Sequence, residues 1–280
     1  MRARNFICIL FFSSFCWSSE INVGGVIIDV PNPDGYSPVT SNMTLLNEIQ
    51  KQFIAPTNEE FLSFIPISDV PSVLKDEIPD FPRRFTVQTA KNLINLSVTS
   101  SNFAELKEVI KTQNTDIIKK AEAQFPELMD RVNDGIKEEF DVDLALSISQ
   151  MVPLPVHEES ERILSYSSYV KYEMVDELGN PAPFVSVVTT TLVHIKGKIL
   201  FLYSYAEESD VEWSRNASIQ WAEELIRLNP ITAQDTFNEN APSVVTGIDW
   251  GNVLAKAIAG AVIGLLIGFF SWVRNRKTSN

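Results

Sequence analysis

VLAKAIAGAVIGLLIGFFSWV, residues 253–273, is the only run in the chain long and apolar enough to suggest a bilayer crossing, and Arg274, Arg276 and Lys277 follow it at once. At about 1.5 Å per helical residue it would reach roughly 30 Å, the thickness of a hydrocarbon core. Its one charge, Lys256, stands near an end, where a long side chain can snorkel to the headgroups, and Trp272 suits the opposite interface. The run therefore reads as a C-terminal transmembrane helix, with Lys256, Trp272, Arg274, Arg276 and Lys277 as interface anchors. Gly260, Gly264 and Gly268 recur every four residues along it. Such a face lets a second helix approach closely in lipid, so it is expected to make a homo-oligomer or to bind a protein partner.

The other end agrees with that placement. Met1-Arg-Ala-Arg is a basic start, Phe6 to Phe12 a short apolar core, and Ser13 to Ser19 a small-residue zone, the pattern of a secretory signal peptide over 1–19 with cleavage after Ser18 or Ser19. An uncleaved anchor is the competing reading, for which the apolar stretch is short, and lipoprotein processing at Cys16 is disfavoured by the bulky Phe15 before it. The organisation that follows is an exported domain over 20–229, as one unit or as halves 20–140 and 141–229. A tether over 230–252, the span over 253–273 and a cytoplasmic tail over 274–280 complete it. Both cysteines, Cys8 and Cys16, lie in the signal region, so the exported body has neither disulfides nor thiol chemistry. A large cysteine-free exported domain points to the bacterial inner membrane, body periplasmic. The chain carries 36 acidic and 23 basic residues, net −13, and only 17 of the basic ones fall within 20–250. So acidic a surface repels nucleic acid and anionic headgroups.

Within the body, hydrophobic spacing predicts strands over 22–30, 60–65, 85–89 and 93–98 and a helix over 43–53. A long helix is expected from Asn102, with Asn102 and Glu105 in cap relation, broken or kinked at Pro126 and carried on by Leu128, Val132 and Ile136. Strict alternation over 141–152 is a half-buried strand. A meander follows over 162–175, 184–195 and 199–205, turned at Gly179-Asn180-Pro181 and Lys196-Gly197. Short turns force antiparallel pairing. Ser209 and Glu212 read as a capping box for a last helix that buries Trp213, Ala217, Trp221, Leu225 and Leu228 until Asn229-Pro230 stops it. The fold class is α+β: an antiparallel sheet with helices packed on one side, plus the transmembrane helix.

The stretch GKILFLYSYAEESDVEWSRNASIQWAEELIRLNP, residues 197–230, closing the meander, resembles the last hairpin and helix of PsbP-like (DcrB-like) proteins. The likeness covers about residues 140–229 and rests on element order and a loose hydrophobic pattern. FPRRFTVQTAKNL and the WAEELIRLNP helix are also similar to uncharacterised bacterial membrane-anchored envelope proteins. The resemblance implies an α/β/α sandwich and an envelope location; it carries over no functional residue.

The chain has no HExxH, CxxC or GxSxG, and Val23-Gly24-Gly25-Val26 lacks the length and lysine of a phosphate loop. His157, Glu158 and Glu159 would form a weak metal site only if His194 approached them; a solvated acidic loop and a strand-edge histidine are the plainer readings. Ser165, Ser167 and Ser168 near Lys171, and carboxylate pairs such as Glu207/Glu208, are common enough to be structural. No catalytic, cofactor or metal residue is assigned. The expectation is a single-pass envelope protein whose acidic domain binds or scaffolds another envelope component. The alternatives are a membrane-tethered hydrolase with a serine or carboxylate site, or a small-ligand sensor lined by Tyr166, Tyr172, Phe201, Tyr203 and Tyr205.

Overall fold

The computed structural model describes residues 18–140, 145–174, 183–231 and 248–264. Among the described residues, ten strands and six helices make an α+β fold around one eight-stranded antiparallel sheet. The strands are β1 (Ser18–Val23), β2 (Val26–Pro31), β3 (Tyr36–Pro38), β4 (Asn58–Pro66), β5 (Arg84–Ala90), β6 (Leu146–Pro153), β7 (Glu158–Glu159), β8 (Ile163–Met174), β9 (Phe184–Ile195) and β10 (Lys198–Glu207). The helices are α1 (Thr44–Gln52), α2 (Val70–Val73), α3 (Ser100–Glu122), α4 (Phe125–Phe140), α5 (Val211–Leu228) and α6 (Trp250–Gly264). The sheet order is β3-β4-β5-β10-β9-β8-β6, with β7 on β8, so β10 joins the β4–β5 half to the C-terminal meander. Strands from both 20–140 and 141–229 thus stand in one sheet.

Helices cover both faces, not one. Along β5, Arg84, Thr86, Gln88 and Ala90 face α1, α3, α4 and α6, while Phe85 and Val87 face α5 and the separate β1–β2 hairpin. Expected strand 22–30 is that hairpin, because Gly24 and Gly25 take φ of +56° and +86°, the backbone a tight two-residue turn requires. Ser18 and Ser19 already pair with Pro31 and Val30 in it. Expected strand 93–98 is a 3-10 turn at Lys91–Leu93 followed by irregular chain, whose carbonyls at Ile94 and Leu96 are satisfied by Lys198 Nζ at 2.8 and 2.9 Å in place of a ladder partner. Helix α3 starts earlier than expected. Thr99 caps it, its hydroxyl accepting from Asn102 N–H at 3.2 Å while the Asn102 side chain answers Thr99 N–H, so Asn102 is the third residue and not the cap. At the other expected box, Ser209 lies in a 3-10 turn before α5, and Glu212 pairs with Arg215 at 2.9 Å. A bulge between Ile148 and Gln150 interrupts the alternation expected of β6.

The transmembrane helix is the main correction. Helix α6 lies between the sheet and α3, with Trp250, Val253, Leu254, Ala257, Ile258 and Val262 each at most 3% exposed. A helix apolar all round must be buried, in lipid or in protein, and here protein does it. The Tyr203 hydroxyl donates to Ala257 O at 2.9 Å and the Tyr172 hydroxyl to Val262 O at 2.7 Å, anchoring the helix to the sheet beneath. Its 15 residues span about 22 Å, and among the described residues no helix is long and apolar enough to cross a membrane. Residues 265–273, the rest of the apolar run, lie outside the described residues.

Candidate functional site

Beneath α6, Gly260 and Gly264 of the sequence motif lie against other parts of the same chain. A side chain at Gly260 would collide with the Asn58 amide and stand 3.1 Å from Gln88 Oε1; one at Gly264 would collide with the Tyr205 hydroxyl. They bring a helix close to a sheet of the same chain. Gly268, Trp272, Arg274, Arg276 and Lys277 lie outside the described residues, and Lys256 is half-buried on α6. The five meander aromatics form no open pocket: Tyr166, Tyr172, Phe201, Tyr203 and Tyr205 are all at most 2% exposed in the core.

The histidines are kept apart. His194 is buried on the α3 side, stacked on Phe103 at 5.4 Å with its Nε2 2.7 Å from Val98 O. His157 lies towards α5, its pKa lowered to about 4 by burial and, less, by Arg215, so its ring is neutral. Glu159 holds Lys107 and Lys111 on α3. Among the described residues no three metal-ligating side chains converge. Ser165 and Ser167 are committed to a hydroxyl lattice beneath α5: Ser165 to Thr191 at 2.6 Å, Thr191 to Ser218 at 2.6 Å, Ser167 to Thr189 at 2.9 Å and Ser214 to Thr189 at 2.8 Å. Small hydroxyl residues on both surfaces let helix and sheet approach closely, a structural use of strand serines.

An open feature runs along another face of α5. Trp221 Nε1–H donates to Pro31 O at 2.8 Å, and its ring meets Phe64 and Phe85 edge-on at 5.6 and 5.2 Å. Asn229, at the end of α5, donates to Asp29 O at 2.7 Å and accepts from Asp29 N–H at 3.0 Å. These contacts hold the hairpin against the helix, and the chain leaving β2 must then turn sharply to reach β3. Gly35, at φ +81°, makes that turn, with Tyr36 N–H bonded to Pro33 O at 3.0 Å.

Between this turn and α5 lies a groove of about 950 Å³. Tyr36, Phe85, Trp213 and Trp221 give it an aromatic floor, with Ile67, Val70 and Pro71 along one side. Tyr36 and Phe85 meet edge-on at 4.7 Å, and Trp213 lies 5.7 Å from Phe85. Outside the lining, the Arg83 guanidinium sits 4.5 Å from the Trp213 ring centre and is held by Asp210 at 2.9 Å. Burial pushes the Tyr36 hydroxyl up to about 12, opposed by Arg83 and reinforced by Asp69 and Asp210. The rim is polar: Asn32 and Asp34 on the turn, Gln220, Glu224 and Arg227 on the helix. Arg227 grips Glu224 through two bonds of 2.6 and 2.5 Å.

No protein-family model matches the chain, and no curated protein sequence matches it. The likeness to PsbP-like proteins gains no support from these comparisons. Sequence reasoning placed Trp213 and Trp221 on the buried stripe of a helix and Phe85 in an expected strand, and gave neither these nor Tyr36 a part in a site. The available signal was the pair of tryptophans eight residues apart, beside a Pro- and Gly-bearing loop that ends in tyrosine.

Proposed function

We propose that this protein is a binding or scaffolding domain whose recognition site is the groove between the β2–β3 turn and α5, and that its ligand is an extended segment of a partner protein. The carrying observation is the groove itself: four aromatic side chains in a cleft of about 950 Å³ with polar groups along its rim. Binding clefts combine an apolar floor with a few placed polar groups, and aromatic residues supply contact area at low entropic cost. The hairpin, the α5 tie at Asn229 and the Trp221 bond support both walls, so the site is formed before a ligand arrives. Extracytoplasmic placement of the body belongs to the same proposal and rests on residues 1–19 as an export signal.

A library of displayed 12-residue peptides panned on the whole chain tests the reading. Enriched peptides should shift the emission of Trp213 and lose binding to Gln220→Trp, in which an indole fills the groove mouth, while that variant keeps its unfolding midpoint. Equal binding to both proteins, or no enrichment, overturns it.

A further inference from the structure

We propose that the groove selects a cationic side chain, arginine above lysine, presented by the partner segment; this deepens the binding-groove reading and rests on it. Among the described residues that line it, the buried side-chain atom left without a partner is an acceptor. Asn32 Oδ1 is shut off from solvent yet has no hydrogen-bond partner among the described residues. The Asp34 carboxylate, exposed on the same turn, has no bonding partner among them either. Two of the groove's strongest donors are engaged: Trp221 Nε1–H with Pro31 O, and Arg227 with Glu224. A ligand completing this site must bring N–H groups, because a buried acceptor left unmet keeps its full desolvation penalty.

Charge points the same way. Asp34 and Glu224 line the groove, Asp69 and Asp210 lie close enough to act on Tyr36, and the cations beside them, Arg83 and Arg227, each already face a carboxylate. The chain as a whole carries −13. Aromatic faces attract cations in their own right, and a guanidinium suits them best, being planar and weakly hydrated. The molecule carries an example of that chemistry beside the groove: Arg83 lies over Trp213 with its Nε–H on Asp210. An incoming guanidinium could repeat the arrangement, its ring-facing plane on the aromatic floor and its N–H fork towards Asp34 and Asn32.

The probes are hexapeptides Ac-Ala-Ala-Xaa-Ala-Ala-Gly-NH2 with arginine, lysine, citrulline or glutamate at Xaa, titrated into the whole chain by tryptophan fluorescence and calorimetry. Citrulline keeps the shape of arginine and removes the charge. Arginine should bind about tenfold tighter than citrulline, and Asp34→Asn should weaken arginine about fivefold while leaving citrulline unchanged. Raising salt from about 50 to 500 mM should weaken arginine alone. If citrulline or glutamate binds as tightly as arginine, or if Asp34→Asn changes nothing, the cation inference fails while the groove reading stands. If no peptide binds, displayed or synthetic, the groove reading itself fails. Self-association of the chain that Gln220→Trp abolishes would assign the groove to a second copy and overturn the proposal.

Discussion

Alanine placed at Gly260 and at Gly251 should act in opposite directions, although both glycines sit in α6. At Gly251 the nearest atoms to a new methyl are Asp249 Oδ1 and Lys120 Nζ, each 3.4 Å away, which is ordinary contact. There the substitution removes backbone freedom from the unfolded chain and should stabilise by about 0.5–1 kcal/mol. At Gly260 the methyl collides with the Asn58 amide and comes within 3.1 Å of Gln88 Oε1. Asn58 is short and 1% exposed, Gln88 is fully buried, and the two are joined by a 3.1 Å hydrogen bond, so neither can swing clear without giving it up. Overpacking costs about 1–3 kcal/mol and a buried amide left unpaired about 1–3 more; set against about 1 kcal/mol gained in the helix, the net loss is about 1–5 kcal/mol. Urea midpoints of the full chain and the two variants measure both effects. Asn58→Ala should recover part of the Gly260→Ala loss, because the pair shares one contact. If Gly260→Ala and Gly251→Ala shift the midpoint in the same direction, α6 is not seated on β4 and β5 as described.

Two further perturbations probe the rest of the core. Trp221→Ala deletes a 3%-exposed indole packed on Phe64 and Phe85 and should cost about 3–5 kcal/mol, whereas Glu223→Ala, on the exposed side of α5, should cost less than about 0.5; equal effects would mean the helix faces otherwise. Glu60 keeps part of its surface in solvent, but burial of its carboxyl pushes the pKa up to about 7, against the opposing pull of Arg84 and of the 2.9 Å bond from Gln88. An acid whose folded pKa is raised stabilises the fold below its unfolded value near 4.5 and loses that contribution as pH climbs through 7. Relative to Glu60→Gln, the native chain should therefore lose about 1–3 kcal/mol between pH 5 and 8, at the lower end because the group is partly exposed, and parallel stability curves would refute the shift.

Much of the sheet was legible because its signals are local. Alternation in β8, the Val- and Thr-rich run of β9 and the Lys196-Gly197 turn are where the structure has those elements, and of the expected α5 stripe Trp221 and Leu225 are buried while Trp213, Ala217 and Leu228 are half-buried. Caps were less legible, because Thr99, Ser100 and Ser101 all offer a hydroxyl and only the position of Asn102 within the first turn selects one. The groove was not legible at all as a site. Tyr36, Phe85 and Trp213 come from three distant parts of the chain, and each alone reads as core.

Composition and period by themselves determined that this chain builds an antiparallel sheet with amphipathic helices, carries an acidic surface, and must bury residues 253–264 away from water. They did not determine what buries them. An apolar helix is accepted equally by lipid and by a slot of matching shape in protein, since both spare it contact with water, and its own sequence is the same in either case. Tertiary structure decided, through Tyr172 and Tyr203 reaching its carbonyls and Gly260 and Gly264 admitting Asn58 and Tyr205. Those partners stand on other strands, more than 50 residues away in the chain, and only folding brings them to the helix.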